Sequence, residues 1–312
     1  MQAPLEHIPG ELVKVQNATL HVVERPARTA THLPPSVLIH GKFGSVHDFL
    51  DTSLVDLLTS QQKVLIVDRP GCGYSRLPAD TPATLETQVA LLAALLAHRN
   101  VEPAVLVGHS LGASLALALA VAYPERVAGL VLLAPYAIAG DGPAHARVAS
   151  ILQMPVVGAA LLPLVWGLIR LAVTPMFTAA FKPDPLPTHY TRYIRDVVLR
   201  PEPFRADLQS VLSADRLLRH IYPAFTDLHK PVVIMTGTAD RTAPAERQSY
   251  PLAAMLPRVM TIDIPDAGHM LPYTVAPNIA GAVLATAAAA DLLARAPHTH
   301  ATQASYYKET HE

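Results

Sequence analysis

Gly108-His109-Ser110-Leu111-Gly112 is the stretch of the sequence that decides the fold. It follows the apolar run 104–107 and opens an Ala-rich, helix-forming stretch, 113–122. A serine between two glycines at a turn from strand to helix is typical of a nucleophile elbow, in which the turn is so tight that its neighbours must lack bulk. The pattern predicts a strained serine whose hydroxyl stands above the end of a strand, beside a backbone N–H of the new helix.

A serine nucleophile needs a base and an acid, and two later strand-like runs are followed by candidates. Asp240 follows the run 231–236, and His269 follows the run 259–264. Ser110, Asp240 and His269 are therefore predicted to act as nucleophile, acid and base, in that chain order. Asp266 is an alternative acid, but its position just before His269 on the same loop is better suited to a turn residue.

This chain order resembles that of the α/β-hydrolase-fold serine hydrolases, over residues 37–293. The resemblance implies an α/β fold with a mostly parallel sheet, helices on both faces and a helical cap insertion. It also implies that His40-Gly41-Lys42-Phe43-Gly44 is the HG-x-x-G loop, so that the backbone N–H groups of Lys42 and Leu111 form the oxyanion hole. The lysine replaces the apolar residue expected there; its side chain is either solvated and idle or biases substrate choice.

A third stretch that resembles the family is Asp68-Arg69-Pro70-Gly71-Cys72-Gly73-Tyr74-Ser75, which the resemblance places beside the active-site entrance. No phosphate-binding or dinucleotide fingerprint accompanies its glycines. Cys72 is the single cysteine, which excludes an intrachain disulfide.

Strand-like apolar runs alternate with helix-length segments, which predicts a parallel sheet covered on both faces. An antiparallel hairpin at the sheet edge is expected from 11–15 and 19–24. The predicted strands are 37–39, 64–67, 104–107, 129–133, 232–235 and 259–264, and the predicted helices are 45–60, 84–99, 111–123, 245–255 and 274–294.

The alternation stops between Pro135 and Lys230, where the family inserts a cap. The predicted organisation is a hydrolase core at 1–135 and 230–297, a helical cap or lid at 136–229 and a flexible tail at 298–312. Within the cap, 148–181 carries one formal charge, Arg170, and is interrupted by prolines and glycines. We predict an apolar cap over the site; a membrane-spanning helix, and membrane docking or dimerisation by the cap, are the alternatives. The substrate-pocket candidates are Phe43, Met154, Trp166, Met176, Phe177 and Met270.

Length and charge fit one large α/β domain and exclude a strongly basic nucleic-acid-binding protein, because 312 residues carry a formal net charge of −1. The first ten residues are polar and show no signal peptide, so a cytoplasmic location is expected, with a mature secreted form whose signal has been removed as the alternative. Abundant alanine and proline, and arginine in place of lysine, indicate a GC-rich bacterial source.

These patterns predict a hydrolase of carboxylic esters with apolar acyl or alcohol parts, which works through an acyl-enzyme and needs no cofactor or metal. The same triad serves C–C bond hydrolases, amidases and perhydrolases, and a ligand receptor with little turnover is the alternative outside enzymes. A serine at the elbow argues against the family members that use aspartate there. The uncharged cap predicts that activity rises from acetyl to medium-chain esters and that charged acyl groups are poor substrates.

Overall fold

A single twisted sheet forms the centre of the molecule. The structure, a computed structural model, describes residues 8–101, 103–140 and 155–295. Within these ranges the sheet has the strand order β1-β2-β4-β3-β5-β6-β7-β8. The strands are β1 (Glu11–Val15), β2 (Ala18–Arg25), β3 (Ser36–Ile39), β4 (Val64–Val67), β5 (Ala104–His109), β6 (Val127–Leu133), β7 (Val232–Gly237) and β8 (Val259–Ile264).

Strands β3 to β8 run parallel, and β1 and β2 form an antiparallel hairpin at one edge. The predicted fold class and the edge hairpin are therefore confirmed. Because the strands are parallel, the loops after β3, β5, β7 and β8 leave the sheet at the same edge, which is where α/β proteins bind ligands.

The described part of the chain contains ten α-helices, of which the last two follow β8. They are α1 (His47–Leu50), α2 (Leu54–Thr59), α3 (Leu85–His98), α4 (Leu111–Ala122), α5 (Pro155–Phe181), α6 (Thr188–Tyr193), α7 (Pro201–Ile221), α8 (Ser249–Met255), α9 (Leu271–Thr274) and α10 (Ala276–Arg295). Short 3₁₀ turns lie at Pro124–Arg126 and Tyr222–Asp227, and a π-helical turn lies at Ile194–Val198.

The helix predicted over 45–60 is divided into α1 and α2. Between them the hydroxyl of Thr52 donates to Phe49 O at 2.8 Å and accepts from Leu54 N at 3.2 Å. Such local side-chain bonds offer the backbone an alternative to helical hydrogen bonds. The interruption therefore has a cause that hydrophobic spacing does not reveal.

Alternate strand residues build a core layer on each face of the sheet. Leu106 joins the layer that contains α3 and α4, whereas Val105 and Val107 join the layer that contains α10. Helix α10 is long and apolar enough to cross a membrane by length and composition alone, but 44% of its apolar window is buried. It packs on β5, β6 and β7, as a core helix does.

An insert of α5, α6 and α7 lies between β6 and β7. Its apolar cluster includes Phe43 and Met270, which follow β3 and β8, so the insert borders the edge where the loops converge. Helix α7 also packs on α3 and α4. The predicted cap boundaries include residues 141–154 and the predicted tail is 298–312; both ranges lie outside the described residues, and the division into domains stays a prediction.

Helix α5 presents one apolar row to solvent. Leu164, Leu168 and Leu171 follow at helical spacing and are 62%, 56% and 79% exposed. The docking of this region on a membrane or on a second copy of the chain stays a prediction.

Candidate active site

Ser110 stands in a strained turn between β5 and α4, with φ 52° and ψ −118°. A Cβ atom at Gly108 would lie 2.5 Å from Gly112 O, and one at Gly112 would press into the carbonyl oxygens of Ile39 and His40. Both glycines are therefore required by the close approach of α4 to the ends of β3 and β5. This is the geometry that the sequence predicts for a nucleophile elbow.

His269 and Asp240 meet above the ends of β7 and β8. The Nδ1 atom of His269 lies 2.8 Å from Oδ2 of Asp240, and both side chains are buried. The other oxygen of Asp240 accepts the backbone N–H groups of Thr242 (2.7 Å) and Ala243 (3.0 Å). Burial opposes ionisation of Asp240, but its hydrogen bond with His269 and these two N–H groups hold its pKa below the usual range.

This contact fixes the tautomer of His269. A carboxylate only accepts, so Nδ1 donates and Nε2 keeps its lone pair. His269 lines the same cavity as Ser110, which makes Nε2 the available base there. Asp266 lies apart from this arrangement: it is exposed in the preceding turn with φ 56°, and its N–H donates to Thr238 Oγ1 at 2.9 Å.

His109, the residue before Ser110, supports the loop that carries His269. Its Nε2 atom donates to His269 O at 2.9 Å, and the two rings are 4.9 Å apart between centroids. Its Nδ1 atom is buried without a partner among the described residues. Burial, together with the neighbouring His269, lowers the pKa of His109 to about 3, so this ring is neutral.

The loop after β3 lies directly against the elbow. A Cβ atom on Gly41 would be 3.0 Å from Cβ of Ser110. The ring of His40 holds the loop, since its Nδ1 donates to Gly41 O (2.8 Å) and its Nε2 accepts Arg69 N (2.9 Å). Burial and the charge of Arg69 lower the pKa of His40 to about 3, which keeps Nε2 an acceptor.

Lys42 and Leu111, the two predicted oxyanion donors, both line the cavity with Ser110. Leu111 is the first residue of α4, so its N–H has no acceptor within the helix. Both residues are thus brought beside Ser110, and their role as donors to a tetrahedral oxyanion stays a prediction.

A buried ion pair lies beneath this loop. The guanidinium of Arg69 donates to Asp207 of α7, to Gly41 O (3.2 Å) and to Gln88 Oε1 (3.2 Å). Asp207 also accepts the N–H of Phe43 at 3.2 Å, and both charged side chains are fully buried. The stretch 68–75 therefore lies under the oxyanion loop, and none of its residues is among the described residues that line the cavity.

Cys72, in the same stretch, is a buried free cysteine. Burial raises the pKa of its thiol well above the usual value, so this thiol is un-ionised.

The cavity has a volume of about 750 Å³ and is lined by Phe43, Met176, Phe177 and Met270 among its apolar residues. Four of the predicted pocket residues are thus brought together. Trp166 is not among the described lining residues; its indole N–H donates to Leu199 O at 2.6 Å, which ties α5 to the turn before α7. Met154 lies outside the described residues.

Polar residues that the sequence patterns did not indicate also line this cavity. Asp48 of α1 is buried, and the hydroxyl of Tyr190 donates to it at 3.1 Å. Burial raises the pKa of Asp48 to about 8, although Tyr190 opposes the shift, so this carboxyl is largely protonated at neutral pH. Arg241 and Arg247 lie at the exposed rim. No motif marks these side chains, because their role depends on how distant loops fold together.

Comparison with known proteins identifies the family to which the chain belongs. A family model described as alpha/beta hydrolase fold matches residues 34–274. The chain is 28% identical over 262 residues to the magnesium-chelatase 30 kDa subunit of Rhodobacter capsulatus, which covers 80% of this chain and 86% of that protein.

Two further relatives match over shorter stretches. Lipase LipV of Mycobacterium tuberculosis is 49% identical over 70 residues, which is 22% of this chain and 26% of the lipase. A 2-hydroxymuconate semialdehyde hydrolase of Pseudomonas sp. is 38% identical over 100 residues, 32% of this chain and 35% of that enzyme. The chain thus spans about a quarter and a third of these two relatives.

Among solved structures, a putative lipase from Acinetobacter baumannii superposes with a TM-score of 0.70 at 20% identity, covering 91% of this chain and 92% of that one. At this identity the likeness is one of fold.

Proposed function

The chain belongs to the alpha/beta hydrolase fold family, and from this premise we propose that it is a serine hydrolase that cleaves carboxylic esters through an acyl-enzyme. The observation that carries the proposal is the 2.8 Å contact between His269 and Asp240 beside a cavity that also contains Ser110 in its positive-φ turn. A nucleophile, a base and an orienting acid from three strand ends are the parts that acyl transfer needs.

In the proposed reaction, the hydroxyl of Ser110 attacks the acyl carbon while Nε2 of His269 takes its proton. Asp240 holds the ring in the tautomer that leaves Nε2 free and stabilises the imidazolium that forms. The oxyanion accepts hydrogen bonds from the N–H groups of Lys42 and Leu111. His269 then gives its proton to the leaving alcohol.

A second half-reaction releases the acid. Water enters the site, His269 takes one of its protons, and the hydroxide attacks the acyl-enzyme carbonyl. The same two N–H groups hold the second oxyanion, and Ser110 leaves with the proton from His269. In both half-reactions, His269 accepts and returns the proton at every step.

The substrate is proposed to be an ester with an apolar chain. The apolar residues that line the cavity favour the binding of an alkyl group, because its apolar surface is then removed from water. They include Phe43, Met176, Phe177 and Met270. The relatives include a lipase and a 2-hydroxymuconate semialdehyde hydrolase, so the leaving group, oxygen or carbon, is the part of the proposal that most needs a measurement.

A fluorophosphonate probe followed by turnover of p-nitrophenyl esters tests the proposal. We expect the probe to label Ser110 in the wild-type protein and not in Ser110→Ala, and we expect p-nitrophenyl butyrate to be hydrolysed. Asp266→Asn is the matched control, because it removes a carboxylate from the same loop as His269 without touching the pair.

Labelling without ester turnover would favour the ligand-receptor alternative, or a C–C hydrolase, amidase or perhydrolase, over an esterase. No labelling at all would overturn the assignment of Ser110 as the nucleophile.

A further inference from the structure

Lys42 lines the cavity, and its side chain forms no ion pair with a residue that the structure describes. It is half-buried, and its Nζ atom lies 4.5 Å from the centre of the Phe43 ring. No residue that the structure describes forms a hydrogen bond or ion pair with Nζ. An ammonium group in such surroundings has lost hydration that nothing in the protein replaces.

The neighbouring acid does not fill this gap. Asp207 is the carboxylate whose charge favours the ammonium form of Lys42, but its two oxygens already accept Arg69 and the N–H of Phe43. Arg69 and Asp207 cancel, which leaves one positive charge at Lys42. Burial accordingly lowers the pKa of Lys42 to about 8, which still leaves most of it charged at neutral pH.

The rim of the cavity has the same sign. Arg241 and Arg247 both line it, both are exposed, and neither forms an ion pair with a described residue. Among the described lining residues, Glu246 is the one acid beside them, and Asp48, which is buried, is largely protonated at neutral pH. Cations therefore outnumber ionised carboxylates among the described residues that line the cavity, which favours the approach of an anion.

We propose that Lys42 is a specificity-determining residue that binds a carboxylate at the far end of an apolar acyl chain, so that half-esters of medium-chain dicarboxylic acids are preferred over uncharged esters. This proposal departs from the sequence-based expectation that charged acyl groups are poor substrates. The inference rests on the proposed function, since it uses the site of ester cleavage. A single leftover charge matches a carboxylate better than a phosphate, which brings nearly two negative charges.

The position of Lys42 also sets the distance between the two substrate groups. Its backbone N–H is proposed to face the ester oxygen, and a fully extended lysine side chain, built from bonds of about 1.5 Å, places Nζ at most roughly 6 Å from its Cα. The distance from the ester carbon to a carboxylate bound by Nζ is thus similar to the length of a medium acyl chain. Adipate, whose carboxyl groups are joined by four methylenes, is a suitable test compound.

The test compares monomethyl adipate with methyl hexanoate, two esters that differ only in a terminal carboxylate in place of a methyl group. The kcat/KM ratio of the first to the second is measured for the wild type, Lys42→Met and Lys42→Arg. All three keep the backbone N–H of residue 42. Lys14→Met is the control, because Lys14 is an exposed lysine on β1, outside the cavity lining.

We expect the ratio to fall about 10- to 100-fold in Lys42→Met, the range typical of a lost hydrogen bond to a charged group, and to be partly restored in Lys42→Arg. Lys14→Met should leave the ratio unchanged. An equal ratio in the wild type and Lys42→Met would overturn the proposal, and so would a fall of the same size in Lys14→Met.

A binding measurement separates this inference from the proposed function. Monomethyl adipate is titrated calorimetrically into Ser110→Ala and into Ser110→Ala/Lys42→Met, and we expect at least tenfold weaker binding to the double variant. Lys42-dependent binding without ester turnover by the wild type would refute the esterase proposal and support the carboxylate site. Cleavage of methyl hexanoate without any Lys42 effect in either assay would refute the carboxylate site alone.

Discussion

Replacing Asp207 by asparagine should destabilise the protein strongly, because it leaves the guanidinium of Arg69 buried without a counter-charge. Both side chains are fully buried, and the nearest alternatives for Arg69 are neutral oxygens of Gly41 and Gln88. Removing one partner of a buried ion pair costs about 3–5 kcal/mol. At about 2–4 °C per kcal/mol for a domain of this size, the melting temperature should fall by roughly 6–20 °C.

An exposed ion pair on the same helix provides the contrast. Arg216 of α7 lies 3.0 Å from Glu86, and its side chain is 73% exposed. Such a pair contributes about 0.2–1 kcal/mol, so Arg216→Met should lower the melting temperature by less than about 4 °C. Calorimetry or circular dichroism melts of the three proteins at one pH and salt concentration measure both effects.

The double variant Arg69→Met/Asp207→Leu tests the cause. If the unpaired charge is what destabilises Asp207→Asn, an apolar pair should recover most of the loss, since buried ion pairs are often replaced without cost. A melting temperature of Asp207→Asn within 2 °C of the wild type would refute the reasoning. A double variant as unstable as the single one would show that the loss comes from the hydrogen bond to Phe43 instead.

Four further outcomes are expected. Ser110→Ala should lower kcat for ester hydrolysis by on the order of 10⁶ without a change in melting temperature, and retention of more than a few per cent activity would remove Ser110 from the mechanism. Asp240→Asn should lower kcat by about 10⁴, because the amide favours the wrong histidine tautomer, and Asp266→Asn should do far less; the reverse ranking would make Asp266 the acid. In p-nitrophenyl esters, kcat/KM should rise from acetate to hexanoate by up to about fourfold per methylene, which corresponds to roughly 0.8 kcal/mol, whereas a steady fall from acetate onward would contradict an apolar pocket. Asp48→Asn should become more stable relative to the wild type as the pH rises from 5 to 7, by up to about 1.4 kcal/mol per pH unit. The reason is that the folded wild type keeps Asp48 protonated up to about pH 8, whereas its unfolded chain releases that proton near pH 4. Urea unfolding of both proteins at pH 5 and pH 7 measures this, and a stability difference that does not change with pH would contradict it.

The sheet could be predicted from the sequence because each buried strand is a short apolar run that stands between helix-length segments. Val64–Val67 and Val259–Ile264 have the predicted bounds, and the Gly108–Gly112 turn has the predicted strain. These features are local, so the information lies in adjacent residues. The proximity of Ser110, Asp240 and His269 could also be predicted, because each follows a strand and parallel strands bring their carboxyl ends to one edge of the sheet.

The surroundings of the site could not be predicted in the same way. Asp207 stands in an amphipathic helix with no motif, and its contact with Phe43 joins residues 164 positions apart in the sequence. The apolar composition of 148–181 favours uncharged substrates, yet Lys42 and the arginines at the rim come from other loops. Charge balance in a cavity depends on which side chains already have partners, and only three-dimensional contacts give that.

The positive-φ backbone at Ser110 lowers the stability of the fold at the same position that carries the proposed nucleophile. A non-glycine residue held in such a conformation costs about 1–3 kcal/mol, and glycine would relieve most of that at an entropic cost of roughly 0.5–1 kcal/mol. A directed-evolution campaign that ranks variants of this chain by heat resistance alone would therefore enrich Ser110→Gly, the replacement that deletes the proposed nucleophile. Selection for thermostability in this protein therefore needs a screen for ester turnover in the same round. Codon 110 should be sequenced first whenever a thermostable variant has lost its activity.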